Sequence, residues 1–452
     1  MIERHPASFR DRSGYIYRKN GVLLRSVEPP YRKEYDRLME SGLYDELVGA
    51  GLLIPHREMT GKDKVRGSYK TIRPEEVPFI SYPYEWSFSQ YKDAALATLE
   101  IQRRALEHGM TLKDASAYNI QFHGGKPVLI DTLSFERYEK GAPWIAYRQF
   151  CQHFLAPLVL MSTVDVRLGQ LMRIHIDGIP LDLAKGLLSR RTKVRPGVYL
   201  HLVLHSRAQQ KHESRAKKAK PRKINLKALV SSLESLTKKL DWKPAGTEWG
   251  DYYTFTNYTD KAFREKGKLV RSLTRKVKPR GVWDIGGNNG EFSRVASDLS
   301  IFTISADVDP AAVEKNYRNV KKLGEQNLLP IVLDLTNPSP AIGWANRERD
   351  RFRKRGPVDL VYFLALIHHI AIGNNVPLAS VADYVSRMTK NLIIEWVPKG
   401  DSQVNILLAT REDIFDDYTM AGFEKAFKTR FRIVRKTPIK GTKRTLYLMR
   451  KK

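Results

Sequence analysis

The residues best suited to chemistry lie in the second half of the chain. Val282-Trp-Asp-Ile-Gly-Gly-Asn-Asn-Gly290 reads as a short buried strand that breaks into a glycine-rich turn, and from Glu291 to Leu299 apolar residues recur at helical spacing. Gly286 and Gly290 let the backbone approach a ligand closely, and the helix start behind them offers N–H groups without intrahelical partners. Ile301-Phe-Thr-Ile-Ser-Ala-Asp307 reads as the next strand, and its last residue is an acid 21 positions after Gly286. A carboxylate there is placed to accept hydrogen bonds from ribose hydroxyls.

Two ligand classes compete for such a turn, a dinucleotide and S-adenosylmethionine. The dinucleotide fingerprint Gly-x-Gly-x-x-Gly is not met, because the last glycine of Gly286-Gly-Asn-Asn-Gly290 comes too early. The segment also opens with Asp284, a carboxylate that would repel a pyrophosphate but suits a cationic amino-acid ligand.

With these residues in order, the second half resembles the class I S-adenosylmethionine-dependent methyltransferases. Asp284, Gly286, Gly287, Asn288 and Gly290 match the family's first motif, with asparagine at 288 where glycine is commoner. Asp307 is similar to its ribose-binding acid, and Asp334 in Pro330-Ile-Val-Leu-Asp-Leu to the residue beside the adenine after the third strand. Val358–Phe363 and Asn391–Val397 would be the fourth and fifth strands, with Phe431–Val434 and Thr445–Met449 the closing antiparallel pair. The resemblance implies an α/β fold with a Rossmann-like seven-stranded sheet over residues 242–452, and S-adenosylmethionine as cofactor. It also implies an active site where His368, His369 and Glu395 are the candidate catalytic residues, a histidine there serving as base or as a shaper of the pocket. Asn337-Pro-Ser-Pro340 is similar to a motif of base-directed amino-group methyltransferases. It follows the third strand rather than the fourth, so it is not read as catalytic. That string and Leu366–Asn375 also resemble bacterial two-domain methyltransferases of the nodulation-protein type.

The first half carries a second constellation. Lys113-Asp-Ala-Ser-Ala-Tyr-Asn119, a short hairpin and Val128-Leu-Ile-Asp131 are similar to the catalytic and metal-binding segments of protein-kinase-like folds. Asp114 then matches the catalytic aspartate, and Asn119 and Asp131 match magnesium ligands should this half bind metal. The helix Tyr91–His108 and the extended Val77–Tyr84 fall where that family has its catalytic-lobe helix and hinge. Arg12–Arg25 reads as a hairpin, but it has no glycine-rich loop, no third-strand lysine is found, and Phe-Gly does not follow Asp131. This half is therefore expected to be an α+β, degenerate kinase-like domain that scaffolds rather than phosphorylates.

The elements that must position these residues fit the chain as a whole. A length of 452 residues predicts two or three domains at roughly 100–200 residues each. With 42% hydrophobic and 10% aromatic residues the chain is not disordered as a whole. A single cysteine, Cys151, leaves no internal disulfide framework and no cysteine nucleophile in the second half. The charged N-terminus and the short apolar run Phe154–Met161 give no membrane span, so the expected address is the cytoplasm. The expected division is 1–205, a basic linker 206–241, and 242–452.

The formal charge of +29 is unevenly spread. Lys185 to Lys239 holds 16 basic residues against Glu213 and Glu234, and Lys425 to Lys452 holds 12 and no acid. Such segments attract an anionic substrate or nucleic acid, or simply keep a linker solvated. The strongest run has no aromatic residue to stack on a base. The acceptor is expected to be a small molecule or glycan before nucleic acid. Non-catalytic partner binding and RNA methylation are the alternatives.

Overall fold

The structure is a computed structural model, which describes all residues except 1, 62–63, 205, 207–224, 245–258 and 410. It divides into two units. The first comprises Met1–Lys243 with Ala341–Arg349, and the second comprises Pro244–Pro340 with Asp350–Lys452. Among the described residues no helix is long and apolar enough to cross a membrane.

In the first unit, five strands form an antiparallel sheet in the order β1-β2-β3-β5-β4. They are β1 (Ile2–Arg4), β2 (Ile16–Lys19), β3 (Val22–Val27), β4 (His56–Glu58) and β5 (Lys70–Pro74). The hairpin read at Arg12–Arg25 is β2–β3. Asn20 and Gly21 both have positive φ, 52° and 80°, which is the twist a two-residue hairpin turn requires. Helices Arg32–Glu40 and Leu43–Gly49 lie between β3 and β4 in the chain.

Helix Phe88–Glu107 follows, started by a capping box in which Ser87 and Gln90 satisfy each other's backbone amides. Then come β6 (Met110–Leu112), β7 (Ile120–His123), β8 (Lys126–Leu129) and β9 (Phe135–Arg137), paired β6 with β9 and β7 with β8. The loop carrying Asp114 therefore joins β6 to β7, and Asp131 follows β8, which is the order the kinase resemblance implies. The apolar run Phe154–Met161 is buried and leads into helix Ala156–Thr163, so it is core of this unit.

Part of the expected basic linker 206–241 is a helix of the first unit. Leu226–Lys239 is a helix with Leu226, Val230 and Leu233 buried, and Lys92 Nζ donates to the carbonyls of Lys238 and Leu240 at its end. The apolar stripe hidden among its lysines outweighs their charge. The central cluster Lys211, Arg215, Lys217, Lys218, Lys220, Arg222 and Lys223 lies outside the described residues, as does the aromatic segment 249–258.

The second unit holds a seven-stranded sheet in the order β12-β11-β10-β13-β14-β16-β15. The strands are β10 (Gly281–Ile285), β11 (Phe302–Asp307), β12 (Leu328–Val332), β13 (Val358–Phe363), β14 (Thr389–Trp396), β15 (Phe431–Pro438) and β16 (Thr445–Lys451). The first five are parallel, and β16 enters antiparallel between β14 and β15. Leu360–Phe363 and Leu392–Ile394 are fully buried, the near-continuous apolar run expected of strands covered on both faces.

Because β11 lies on one side of β10 and β13 on the other, the chain reverses direction across the sheet there. Such a switch point opens a crevice at the carboxyl ends of the strands. The helix expected over Glu291–Leu299 covers only Ser293–Ser297. Leu299 and Ser300 amides bond three residues back, to Ala296 and Ser297, and Ser300 turns to φ 59°, which closes the helix early.

Candidate functional site

At that crevice lies a cavity of about 390 Å³ whose wall includes Asp284, Gly286, Gly287, Asn288, Asp307, Asp334 and His369. Gly290 is not part of the wall; it sits behind it, where a Cβ would stand 2.5 Å from the Asn316 side chain. Gly287 has a similar constraint, since a Cβ there would come 2.6 Å from Ser305 Oγ and 3.2 Å from Asp284 Oδ2. Asn288, the departure from the usual glycine, has φ 47°, a left-handed value asparagine tolerates better than most residues. Its backbone amide donates to Asp307 Oδ2 at 2.8 Å, which ties the turn to the end of β11.

The two buried acids carry the electrostatics. Burial raises the Asp284 carboxyl to about 7, against the opposing hydrogen bond from Ser293 and the charge of Lys266. Ser293 Oγ donates to Asp284 Oδ2 at 2.7 Å. Burial likewise raises Asp307 to about 6, although the Asp309 and Asn288 amides both donate to it. A carboxylate offers about four acceptor sites, so Asp307 keeps room for hydroxyl donors from the cavity. A cationic or donor-bearing ligand would favour the ionised form of both acids. Asp334, more open, accepts from the Thr336 amide at 2.8 Å, which shapes the turn after β12.

His369 lies after β13 at the start of a wide π turn, His369–Gly373, and faces the cavity. Burial pushes its imidazole down to about 4, so it stands neutral near pH 7. His368 does not reach the wall. It is 1% exposed, packs against His369 with ring centroids 4.1 Å apart and the planes tilted by 41°, and is held neutral by the same burial.

Glu395 departs furthest from the sequence reading. It lies next to the end of β14, near where the sequence places it, but is fully buried, with Lys266 Nζ 2.7 Å from Oε2 and Arg444 Nη1 3.4 Å from Oε1. Arg444 is clamped in turn by Asp401, at 2.8 and 3.0 Å. A carboxylate between two cations holds structure in place and is poorly suited to take a proton.

Lys266 is the residue the sequence reading missed. It comes from the helix Asp260–Val277, lies over the Phe292 ring at 4.2 Å, and shares the cavity wall with Asp284. The buried positions of that helix include Ala262, Lys266, Val270 and Thr274, so the lysine sits on the apolar stripe at a spacing of four. That periodicity was the available signal.

A five-stranded parallel core closed by an antiparallel pair, with a glycine turn and two buried acids at its switch point, is a Rossmann-like fold of the class I methyltransferase type. No family model matches the chain. Nodulation protein NoeA of Rhizobium meliloti strain 1021 is 36% identical over 462 residues, covering 98% of this chain and 95% of that protein, and the chain belongs to the family of NoeA. Among solved structures, the N-methyltransferase NodS of Bradyrhizobium japonicum WM9 is similar at 12% identity, covering 42% of this chain and 97% of that one, with a TM-score of 0.31. Magnesium protoporphyrin IX methyltransferase ChlM of Synechocystis PCC 6803, solved with bound SAM, is similar at 13% identity, covering 45% and 89%, with a TM-score of 0.32.

Proposed function

We propose that this protein transfers a methyl group from S-adenosylmethionine to a small-molecule or glycan acceptor. The observation that carries the reading is the grouping of Asp284, Gly286, Gly287, Asn288, Asp307 and Asp334 around one cavity. The donor set suits the cofactor. Asp284, a buried carboxylate with a raised pKa, awaits a cation such as the amino-acid ammonium; Asp307 accepts from the ribose hydroxyls; and the turn at Asp334 flanks the base. When bound, S-adenosylmethionine supplies an electrophilic methyl on a sulfonium, and in-line approach of the acceptor is the main geometric demand.

The residues of the chain then bind, orient and exclude water. Leu364, Leu366, Ile370 and Leu407 give the His369 side of the cavity an apolar wall. A neutral His369 can accept a hydrogen bond from an acceptor hydroxyl or amine and so aim its lone pair. Its lowered basicity fits orientation and pocket shape better than strong proton abstraction. The first unit serves as a scaffold that does not transfer phosphate. The test is a tritiated-methyl transfer assay against cell extract fractionated into RNA, protein and small molecules. Label in the small-molecule or glycan fraction supports the reading, and label confined to RNA or protein refutes its acceptor class.

A further inference from the structure

The kinase resemblance of the first unit implies a magnesium ion on Asn119 and Asp131, and the residues present do not fit one. Asp131 Oδ1 is engaged by Arg25 Nη1 at 2.8 Å and by the Leu133 amide at 2.8 Å. Asn119 directs its Nδ2 donor at Ser134 Oγ, 3.5 Å away. Asp114 Oδ1 accepts from the Ser116 amide and from Gln149 Nε2, at 3.0 and 2.8 Å. Among the described residues no three of His, Cys, Asp and Glu are grouped to hold a metal ion.

The connection between β1 and β2 fills this place instead. Lys113 Nζ donates to Ser13 Oγ at 2.6 Å, and Asp11 sits 3.8 Å from Lys113 and 3.7 Å from Arg25. The Glu28 amide donates to the Ser13 carbonyl at 2.8 Å, and the Tyr15 amide to Ser26 Oγ at 3.1 Å. A Cβ at Gly14 would stand 2.0 Å from the Ser26 carbonyl oxygen, so the connection reaches β3 this closely only because residue 14 is glycine. Two cations, Arg25 and Lys113, thereby balance two carboxylates, Asp11 and Asp131.

We propose that Arg25 on β3 is a built-in cation standing where the resemblance calls for a metal, and that this cleft takes neither a divalent ion nor a metal-bound polyphosphate. The guanidinium cannot lose its charge, and its side chain is 9% exposed. A divalent ion reaching Asp131 would compete with that guanidinium for Oδ1 and leave it only the longer contact to Asp11, 3.7 Å away. It would also need about six oxygen ligands, and Asp131 Oδ1 is already taken by two N–H donors, from Arg25 and Leu133. Asp11 in the adjoining connection repels incoming phosphate.

Manganese(II) binding to the full chain, followed by electron paramagnetic resonance, tests this. The wild type is expected to show no saturable binding that depends on Asp131, so Asp131→Asn leaves its titration unchanged. Arg25→Met, which keeps much of the volume and removes the charge, is expected to gain saturable Mn²⁺ binding at least about tenfold tighter than the residual, Asp131-independent association of the wild type, because the carboxylates lose their internal cation. Adding Asp131→Asn to that variant should abolish the gain. Saturable wild-type binding that Asp131→Asn removes overturns the proposal, as does a folded Arg25→Met chain with no gain. The wild-type comparison decides the matter even if Arg25→Met does not fold.

Discussion

The Lys266 ammonium lies 2.7 Å from Glu395 Oε2, and the two side chains are 2% and 0% exposed. Burial pulls the Lys266 pKa down and the Glu395 charge opposes that pull, so the buried ammonium depends on Glu395 for its charge. Removing one partner of a buried pair typically costs about 3–5 kcal/mol, whereas replacing both with apolar groups of similar volume costs far less. Glu395→Gln is therefore expected to lower unfolding stability by about that amount, and the double variant Lys266→Met, Glu395→Leu by less. Urea unfolding measures both. A single variant within about 0.5 kcal/mol of wild type, the range of ordinary surface substitutions, would show the pair to be dispensable.

Cofactor affinity should depend on pH through Asp284. Its carboxyl is raised to about 7 by burial, so below that pH the ligand-free site is largely protonated. An ammonium ligand requires the ionised form, so affinity rises as pH increases through about 7 and falls again above about 8, where the free ligand's amino group loses its proton. Binding at about pH 6 should release protons from Asp284, and binding at about pH 8.5 should take protons up onto the ligand's amino group, whose free pKa is about 8, as linkage requires. The same shift makes the ligand-free chain less stable as pH rises from the ordinary carboxylate range through about 7, because the folded state holds the proton more tightly. Calorimetry in buffers of differing ionisation enthalpy reads the proton count. Equal heats across buffers at about pH 6 would exclude Asp284 as the linked group.

Much of the second unit was legible in the sequence because its strands are short, apolar and punctuated by acids and glycines. Leu360–Phe363 is a short apolar run, and Val282–Ile285 and Phe302–Asp307 are β-rich segments that end at or near an acid, all three buried in the parallel sheet. The cavity wall at Asp284, Asp307 and Asp334 was readable for the same reason, since each residue sits at a strand end or just beyond it. What escaped were roles set by partners distant in sequence. Glu395 is an acid at a strand end like Asp307, and only the packing of Lys266 and Arg444 against it decides that it is structural. Arg25 alternates into the strand pattern of β3 without any local signal that Asp131, far along the chain, would claim it. The helix Leu226–Lys239 was hidden by its charge, which dominated a reading by composition.

Loss of the kinase-type aspartate should leave the chain's chemistry intact. Asp114 shapes its own loop through Ser116 and Gln149. Asp114→Ala is expected to retain methyl transfer, and neither it nor wild type should hydrolyse ATP at a steady rate. Phosphate release by wild type that disappears in the variant would contradict the scaffold role.

The basic run separates acceptor classes. Replacing Lys211, Arg215, Lys217, Lys218, Lys220, Arg222 and Lys223 with Gln is expected to leave the salt dependence of binding to bulk RNA unchanged. If these residues instead neutralised phosphates of a single strand, the log–log slope would change by about 0.7 per contact. A slope that flattens in the variant would favour an RNA acceptor.

The central claim is tested most directly by calorimetric titration of the full chain with S-adenosylhomocysteine. Saturable binding at one site per chain is expected. Asp307→Ala should weaken it by about 1.5–3 kcal/mol, the usual worth of a hydrogen bond to a charged group. A folded wild-type chain that gives no heat of binding, or an Asp307→Ala variant that binds as tightly as wild type, would contradict the assignment of this cavity to the cofactor.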